Sequence, residues 1–372
     1  MAADGAGRHD GRPSWVDDEL FPFQSHFVEV DGHTIHYIDE GSGPMLLMLH
    51  GNPTWSFVYR QVITQLRDSF RCVALDYPGF GLSTAATGYG FHPDDHARVV
   101  ASFVERLDLR DVTVVMQDWG GPIGLSAALI TPERYGSLVI GNTWAWPVNG
   151  DPHFEVFSRV MGGPLVRVLI RRFNFFVNSM LPAGHRRRTL PKAEMDHYRL
   201  PLATPARRNP TGVFPRDITG SREFLTDLER GVVSVLSDLP TLLVWADADV
   251  AFRMRELHRW QSIMRRQHTT VLPSFVVHHR GLREVQSLHR VSRCHRRRGA
   301  GADVRAGSSR PGRVAACRSM GCGPGDRSGE GSGSHICLGS QGVRSSIRRH
   351  RSRGRRVGGH CRRHCRRDRI AG

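Results

Sequence analysis

The chain has 372 residues, of which 39% are hydrophobic and 23% charged, and its formal charge is +17. Residues 280–372 hold 24 arginines and 5 acidic residues, so this segment carries +19 and residues 1–279 sum to −2. The basic charge therefore belongs to this segment alone and gives no reason to expect nucleic acid as a partner of residues 1–279. The first twenty residues lack a signal-type apolar stretch of about 7–15 residues, and no segment reaches the roughly 18 apolar residues of a membrane span. We expect a cytoplasmic protein that does not enter a membrane.

Short apolar runs alternate with segments of helical periodicity along the first two thirds of the chain. Such alternation predicts an α/β fold, with a mostly parallel sheet covered by helices on both faces. The predicted strands are residues 27–30, 34–37, 45–49, 71–75, 112–116, 137–141 and 241–245.

Between Trp146 and Leu239 the pattern becomes helical, rich in Arg, Phe and Met, and is interrupted by prolines. This stretch predicts a helical cap over the carboxyl ends of the strands, where open α/β sheets place their sites. We therefore divide the chain into four parts. These are the first part of the core (1–147), the cap (148–238), an incomplete second part of the core (239–279) and a tail (280–372).

The first motif, HGNPTW at residues 50–55, directly follows a predicted strand. Its Gly-Asn-Pro turn would hold an amide beside the strand ends, although such a sequence can also form an ordinary loop. We interpret His50 as a structural hydrogen-bonding residue rather than an acid or base. A second motif, DYPGFGLS at residues 76–83, follows the next strand.

The third motif is QDWGGP at residues 117–122, where the strand at 112–116 runs into a helix expected from Ile123. A sharp strand-to-helix turn at this position lifts one side chain above the sheet and directs backbone N–H groups at it. The lifted residue here is Asp118. An alternative is structural, because Asp is a good N-cap and glycines suit any tight turn.

In this order and spacing, the three motifs resemble those of haloalkane dehalogenases in the α/β-hydrolase superfamily, over about residues 20–272. Related epoxide hydrolases usually carry Phe where Asn52 stands. The resemblance implies an α/β-hydrolase fold in which Asp118 attacks a small haloalkane to form an alkyl ester, while Trp119 and Asn52 bind the leaving halide. No cofactor or metal is required.

The chemistry agrees with the resemblance. A carboxylate suits displacement at saturated carbon, because the ester that forms can be cleaved by water. The departing halide gathers negative charge and needs donors already oriented in a dry site. Packing in the core for Trp119 and a turn role for Asn52 remain the alternatives. Trp144 and Trp146, after the strand at 137–141, could line an apolar pocket or pack the cap onto the core.

The resemblance also implies a catalytic acid and a histidine. The family's Gly-x-x-Asp pattern matches residues 246–249 with Ala for Gly, which favours Asp249 over Asp247; a solvated loop carboxylate is the alternative. The family's histidine follows some thirty residues later, before an aromatic residue, an aliphatic residue and Gln-Glu-Asp. His278 stands 29 positions after Asp249 without that continuation, so it is the candidate by spacing, and a chance histidine is the alternative.

The tail, residues 280–372, contains no Phe, Tyr or Trp and six of the seven cysteines. Its burial of apolar groups cannot offset an ordering cost of about 1–2 kcal/mol per residue, so we expect disorder. The abrupt change of composition indicates a shifted reading frame that impairs activity. An RNA-binding arm is an alternative. The residues His360, Cys361, His364 and Cys365 are of the types that bind zinc, but they lack a partner pair at zinc-finger spacing.

Two other functions remain open at this stage. An epoxide hydrolase would use the same Asp118 with ring-opening tyrosines from the cap, where Tyr198 is the only tyrosine. The other is a catalytically inactive chain whose basic tail binds nucleic acid through its phosphates. The sequence leaves the preferred haloalkane and the oligomeric state open.

Overall fold

The computed structural model describes residues 11–184 and 189–272. Their strands are β1 (Ser25–Val30), β2 (His33–Glu40), β3 (Met45–Leu49), β4 (Arg71–Leu75), β5 (Val112–Gln117), β6 (Tyr135–Gly141), β7 (Thr241–Ala246) and β8 (Gln267–Leu272). They form one sheet in the order β1-β2-β4-β3-β5-β6-β7-β8. The pairs β1–β2 and β2–β4 are antiparallel and the remaining pairs are parallel, so the predicted α/β fold with a mostly parallel sheet is confirmed.

The predicted strands correspond to β1 through β7, with small differences in their bounds. β3 and β4 begin and end where predicted, and the other five extend by one to four residues. β8 was not predicted, because its sequence QHTTVL has no apolar run. It pairs with β7 alone at the edge of the described sheet and buries only Leu272, so it needs little apolar surface.

The helices are α1 (Arg60–Leu66), α2 (Pro93–Arg106), α3 (Gly120–Ile130), α4 (Pro152–Met161), α5 (Pro164–Phe173), α6 (Leu181–Gly184), α7 (Lys192–Arg199), α8 (Asn209–Gly220), α9 (Arg222–Gly231) and α10 (Met254–Ile263). Short 3-10 turns occur at Ser56–Tyr59, Pro132–Arg134 and Leu200–Leu202, and π-helical turns at Phe176–Met180 and Val232–Leu236. None of the helices among the described residues is long and apolar enough to span a membrane.

The helix after β5 begins at Gly120, three residues before the predicted start at Ile123. The two glycines allow this early start because the first turn packs tightly on the sheet. A Cβ at Gly120 would lie 2.3 Å from the carbonyl oxygen of Leu49, and a Cβ at Gly121 would lie 2.0 Å from Oγ1 of Thr143. The glycines therefore bring the helix amino terminus close to the end of β3.

Alternation along β3 shows how the sheet divides the core. Leu47 and Leu49 belong to one buried cluster, whereas Leu46 and Met48 belong to the other. Side chains in a strand point alternately to opposite faces, so the two clusters fill the two faces of the sheet. The first cluster also contains Trp119, Trp144 and Phe214.

The described part of the chain between β6 and β7 is helical, as predicted for a cap. The boundaries 148–238 for a separate cap remain an interpretation. Within this segment, α8 contacts the core through Phe214, whose ring centroid lies 5.7 Å from that of Phe80 and 5.5 Å from that of His96. The helix α8 thereby covers one side of the strand ends. Residues 273–279 of the predicted second core part and the predicted tail, 280–372, lie outside the described residues.

Candidate active site

Asp118 occupies the turn between β5 and α3 with a left-handed backbone, φ +51°. Non-glycine residues rarely adopt this region, and Asp and Asn tolerate it best. The turn is held at both ends: the Asp118 N–H donates to the Asn142 carbonyl at 3.0 Å, and the Gly121 N–H donates to the Asp118 carbonyl at 3.0 Å. The sequence predicted a lifted carboxylate at this place, and the structure presents a partly exposed one.

The turn after β3 packs directly against this carboxylate. A Cβ at Gly51 would lie 2.4 Å from Cβ of Asp118 and 2.5 Å from its Oδ1. The absence of a side chain at Gly51 lets the next residue come close, and the Asn52 backbone N–H donates to Oδ1 of Asp118 at 2.9 Å. A backbone donor therefore holds Oδ1 of this carboxylate in place.

The pKa of Asp118 is raised to about 6, chiefly because burial disfavours the charged form. Backbone hydrogen bonds from Trp119 and Asn52 oppose this shift, and the nearby charge of Asp249 adds to it. A carboxyl with a pKa of about 6 is mostly ionised at pH 7. It is also weakly solvated, and so more reactive toward carbon than an exposed carboxylate.

Trp119 is 3% exposed and belongs to an aromatic wall beside Asp118. Its ring meets Trp144 edge-on at 4.7 Å between centroids, and it lies 5.0 Å from Phe214 of α8. The wall thus combines residues from the turn after β5, from the segment after β6 and from α8. Such surroundings are apolar and exclude water.

The Asn52 side chain lies at the junction between the strand ends and α8. Its Nδ2 donates to the Thr211 carbonyl in α8 at the long distance of 3.4 Å, and its Oδ1 is buried without a hydrogen-bond partner among the described residues. A buried polar atom without a partner costs free energy. The carboxamide is therefore poorly satisfied by the protein in its present position.

Asp249 lies in the loop after β7, partly buried, whereas Asp247 is exposed. Backbone N–H groups of Ala251 and Phe252 donate to its Oδ1 at 2.7 and 3.1 Å. Burial raises the pKa of Asp249, and these donors together with the Asn142 side chain oppose the rise. The loop fixes Asp249 near Asp118, as expected for an acid that orients a base.

Asn142 is a candidate site residue that the sequence motifs did not indicate. It follows β6, and besides receiving the Asp118 N–H it bonds through its carboxamide to both backbone groups of Ala246, at 2.9 and 3.3 Å. It therefore joins the turn that carries Asp118, the candidate nucleophile turn, to the loop of Asp249. A polar residue directly after a predicted parallel strand was the available signal, because the ends of such strands meet at one edge.

His50 is structural, as interpreted from the sequence. Its Nδ1 lies 2.9 Å from the Gly51 carbonyl, and its Nε2 accepts from the Tyr77 backbone N–H at 3.2 Å. Complete burial lowers the pKa of His50 to about 4, so the ring is neutral at pH 7. His278, the candidate base, lies outside the described residues.

Tyr198 does not line the aromatic wall. It packs edge-on against Phe57 at 5.3 Å, within the core cluster on the face opposite Trp119. The described arrangement therefore brings together a partly buried carboxylate, backbone donors and a second carboxylate, and Tyr198 packs elsewhere.

Residues 44–278 match the family described as the α/β hydrolase fold. Over 241 residues the chain is 45% identical to haloalkane dehalogenase 2 of Mycobacterium tuberculosis, covering 65% of this chain and 84% of that protein. It is 32% identical over 256 residues to a cis-3-alkyl-4-alkyloxetan-2-one decarboxylase of Shewanella oneidensis, covering 66% of this chain and 80% of that protein.

Two solved structures show the same fold. An ancestral haloalkane dehalogenase superposes with a TM-score of 0.60 and 26% identity, over 76% of this chain and all of that chain. The haloalkane dehalogenase DatA of Agrobacterium tumefaciens superposes with a TM-score of 0.61 and 23% identity, over 73% of this chain and 94% of that chain.

Proposed function

Since the chain belongs to the haloalkane dehalogenase family of the α/β-hydrolase fold, we propose that it cleaves carbon–halogen bonds of small haloalkanes through an ester on Asp118. The observation that carries this proposal is the carboxylate of Asp118, lifted on a left-handed turn and held at Oδ1 by the Asn52 N–H beside the aromatic wall. No cofactor enters the reaction.

In the first half-reaction, the free carboxylate oxygen of Asp118 attacks the carbon that bears the halogen. The new C–O bond forms as the C–X bond breaks, and the halide leaves with the bonding electron pair. The indole N–H of Trp119 and the carboxamide of Asn52 donate to this halide. The long bond from Asn52 to Thr211 is readily exchanged for one to the ion.

In the second half-reaction, water attacks the ester carbonyl, a histidine takes the proton of that water, and the alcohol leaves. Negative charge gathers on the carbonyl oxygen of the ester, and the backbone N–H groups of Asn52 and Trp119, which both donate to the Asp118 carboxylate, would stabilise it. Asp249 would orient the histidine, for which His278 is proposed by spacing alone. A positioned general base typically contributes about 10²–10⁴ in rate.

The sequence after Pro273 lacks the family continuation around the histidine, so we infer that turnover of this chain stalls at the ester. Incubation with 1-bromohexane should release one bromide per active site and leave a stable alkyl increment on the peptide that contains Asp118. Ion chromatography and peptide mass spectrometry measure the two. Asp118→Asn, freshly purified to exclude deamidation, should show neither, and Asp68→Asn, an exposed carboxylate, should behave as the parent.

Sustained bromide release by the parent would show that a histidine of this chain serves, and would contradict the inferred stall. Bromide release by Asp118→Asn at the parent rate would contradict the ester mechanism. Restoring a family-type reading frame after residue 272 should convert the single release into turnover if the ester forms as proposed.

A second candidate follows from the similarity to the oxetanone decarboxylase. Attack of Asp118 on the saturated ring carbon that is bonded to the ring oxygen would open a β-lactone and release its carboxylate. Loss of CO2 from that intermediate, with expulsion of the Asp118 carboxylate, would give an alkene and restore the enzyme without a histidine or water. Gas chromatography of an incubation with a cis-3,4-dialkyloxetan-2-one distinguishes the two functions, because only this reaction yields an alkene.

A further inference from the structure

Trp144 carries a buried hydrogen-bond donor that the protein leaves unused. Its side chain is 1% exposed, and its indole N–H has no partner among the described residues. Three other buried indoles of the described chain donate to backbone carbonyl oxygens. These are Trp55, Trp245 and Trp260, at 2.7, 3.2 and 2.8 Å.

The neighbours of Trp144 place its ring beside the candidate active site. Its ring meets Trp119 edge-on at 4.7 Å and stacks on Phe252 at 5.3 Å with an angle of 22° between the planes. Trp119 follows the nucleophile Asp118, and the Phe252 backbone N–H holds Asp249. Trp144 therefore lies between the nucleophile turn and the loop of the second carboxylate.

We propose that the indole N–H of Trp144 is a further donor to the anion that leaves at Asp118, a halide ion. The proposal rests on the proposed function. An indole N–H donates and cannot accept, so its missing partner must be an acceptor. A donor that is already oriented in an apolar, water-excluding wall stabilises a developing negative charge strongly, because no solvent has to reorganise around it.

The contact between Trp144 and Trp119 is compatible with an ion that both rings share. Two indoles in contact at 4.7 Å can present their N–H groups to one ion, which then bridges the nucleophile turn and the segment after β6. Asn52 approaches from the side of β3. Donors from three strand ends would then surround the ion.

Titration of the full chain with bromide, followed by ¹H–¹⁵N correlation of the indole N–H groups, tests the proposal. The resonances of Trp144 and Trp119, assigned from Trp144→Phe and Trp119→Phe, should shift together and saturate with one dissociation constant. The already paired indole N–H of Trp245 should not follow them. Trp144→Phe should raise the bromide dissociation constant about tenfold, as expected for one hydrogen bond to a charged partner.

Trp146→Phe is the matched control, because Trp146 is 3% exposed on the same segment and packs against Trp260 at 5.1 Å. It should leave bromide binding within about twofold of the parent. If Trp119 shifts and Trp144 does not, or if Trp144→Phe binds bromide as the parent does, the inference about Trp144 fails while the proposed function stands. If no indole responds and no bromide is released from 1-bromohexane, both fail.

Discussion

The substitution Asp118→Asn should stabilise the folded chain while it removes the nucleophile. The carboxyl of Asp118 is only partly exposed and has a pKa of about 6, against an ordinary value of 3.8, so the protein binds this proton more tightly when folded than when unfolded. Ionisation at neutral pH therefore disfavours the folded state. Asn has nearly the same shape, can still accept from the Asn52 N–H, and tolerates a φ of +51°.

The size of the expected gain in stability follows from the pKa shift of Asp118. A shift of about two pKa units, at 1.36 kcal/mol each, gives at most about 3 kcal/mol, and the partial exposure of Asp118 reduces the expected gain to about 1–3 kcal/mol. The pH dependence is specific. The contribution of Asp118 to the free energy of unfolding should fall as pH rises from about 4 to about 6, and Asp118→Asn lacks this contribution.

Urea denaturation at intervals from pH 4 to pH 8, followed by tryptophan fluorescence, measures the difference between the two proteins. The difference should be small near pH 4 and reach its full value by pH 7. Asp68→Asn, in an exposed loop, controls for the general loss of one negative charge. A variant no more stable than the parent at pH 7, or a gain that is equally large at pH 4, would refute the account of Asp118 as a destabilised buried carboxylate.

Three further predictions concern the site and the tail. Gly51→Ala should reduce ester formation at least tenfold, because its Cβ would lie 2.4 Å from Cβ of Asp118, and stopped-flow bromide release measures the loss. In the parent, the rate of that first bromide release should fall about tenfold from pH 7 to pH 5, as Asp118 becomes protonated; a flat profile would contradict the pKa of about 6. From its composition we expect limited trypsinolysis to cut residues 280–372 first, and early cuts within residues 40–140 would contradict the proposed domain division.

The fold could be predicted in outline from the sequence because the buried strands are continuous apolar runs. β3 and β5 read as MLLML and VTVVMQ, and both lie inside the sheet. β8 could not be found in this way, because an edge strand that buries only Leu272 carries no apolar pattern. The start of α3 was placed too late because glycines weaken the helical signal while the packing on Leu49 requires them.

The candidate site was predictable where its residues follow strands in motifs. Asn52 and Trp119 were found together with Asp118 because each stands directly after a strand end or beside the nucleophile. Asn142 belongs to no motif, and its role depends on bonds to two other strand ends that only the tertiary structure reveals. The contact of Phe214 with Trp119 depends on how α8 packs, which periodicity cannot give.

The strand order also bears on how the chain emerges from the ribosome. After β4, the strand β5 is added beside β3, and β6, β7 and β8 are each added to the edge left by the strand before, in the order of their synthesis. β3 pairs directly with β5, so the nucleophile turn and the Asn52 amide can meet while the helical segment is still being translated. A nascent chain that folds from its amino terminus would reach this state first. A change of reading frame beyond residue 272 would then alter only what is added after β8. The gene would still encode Asp118, the proposed nucleophile, and the Asn52 backbone N–H that holds it.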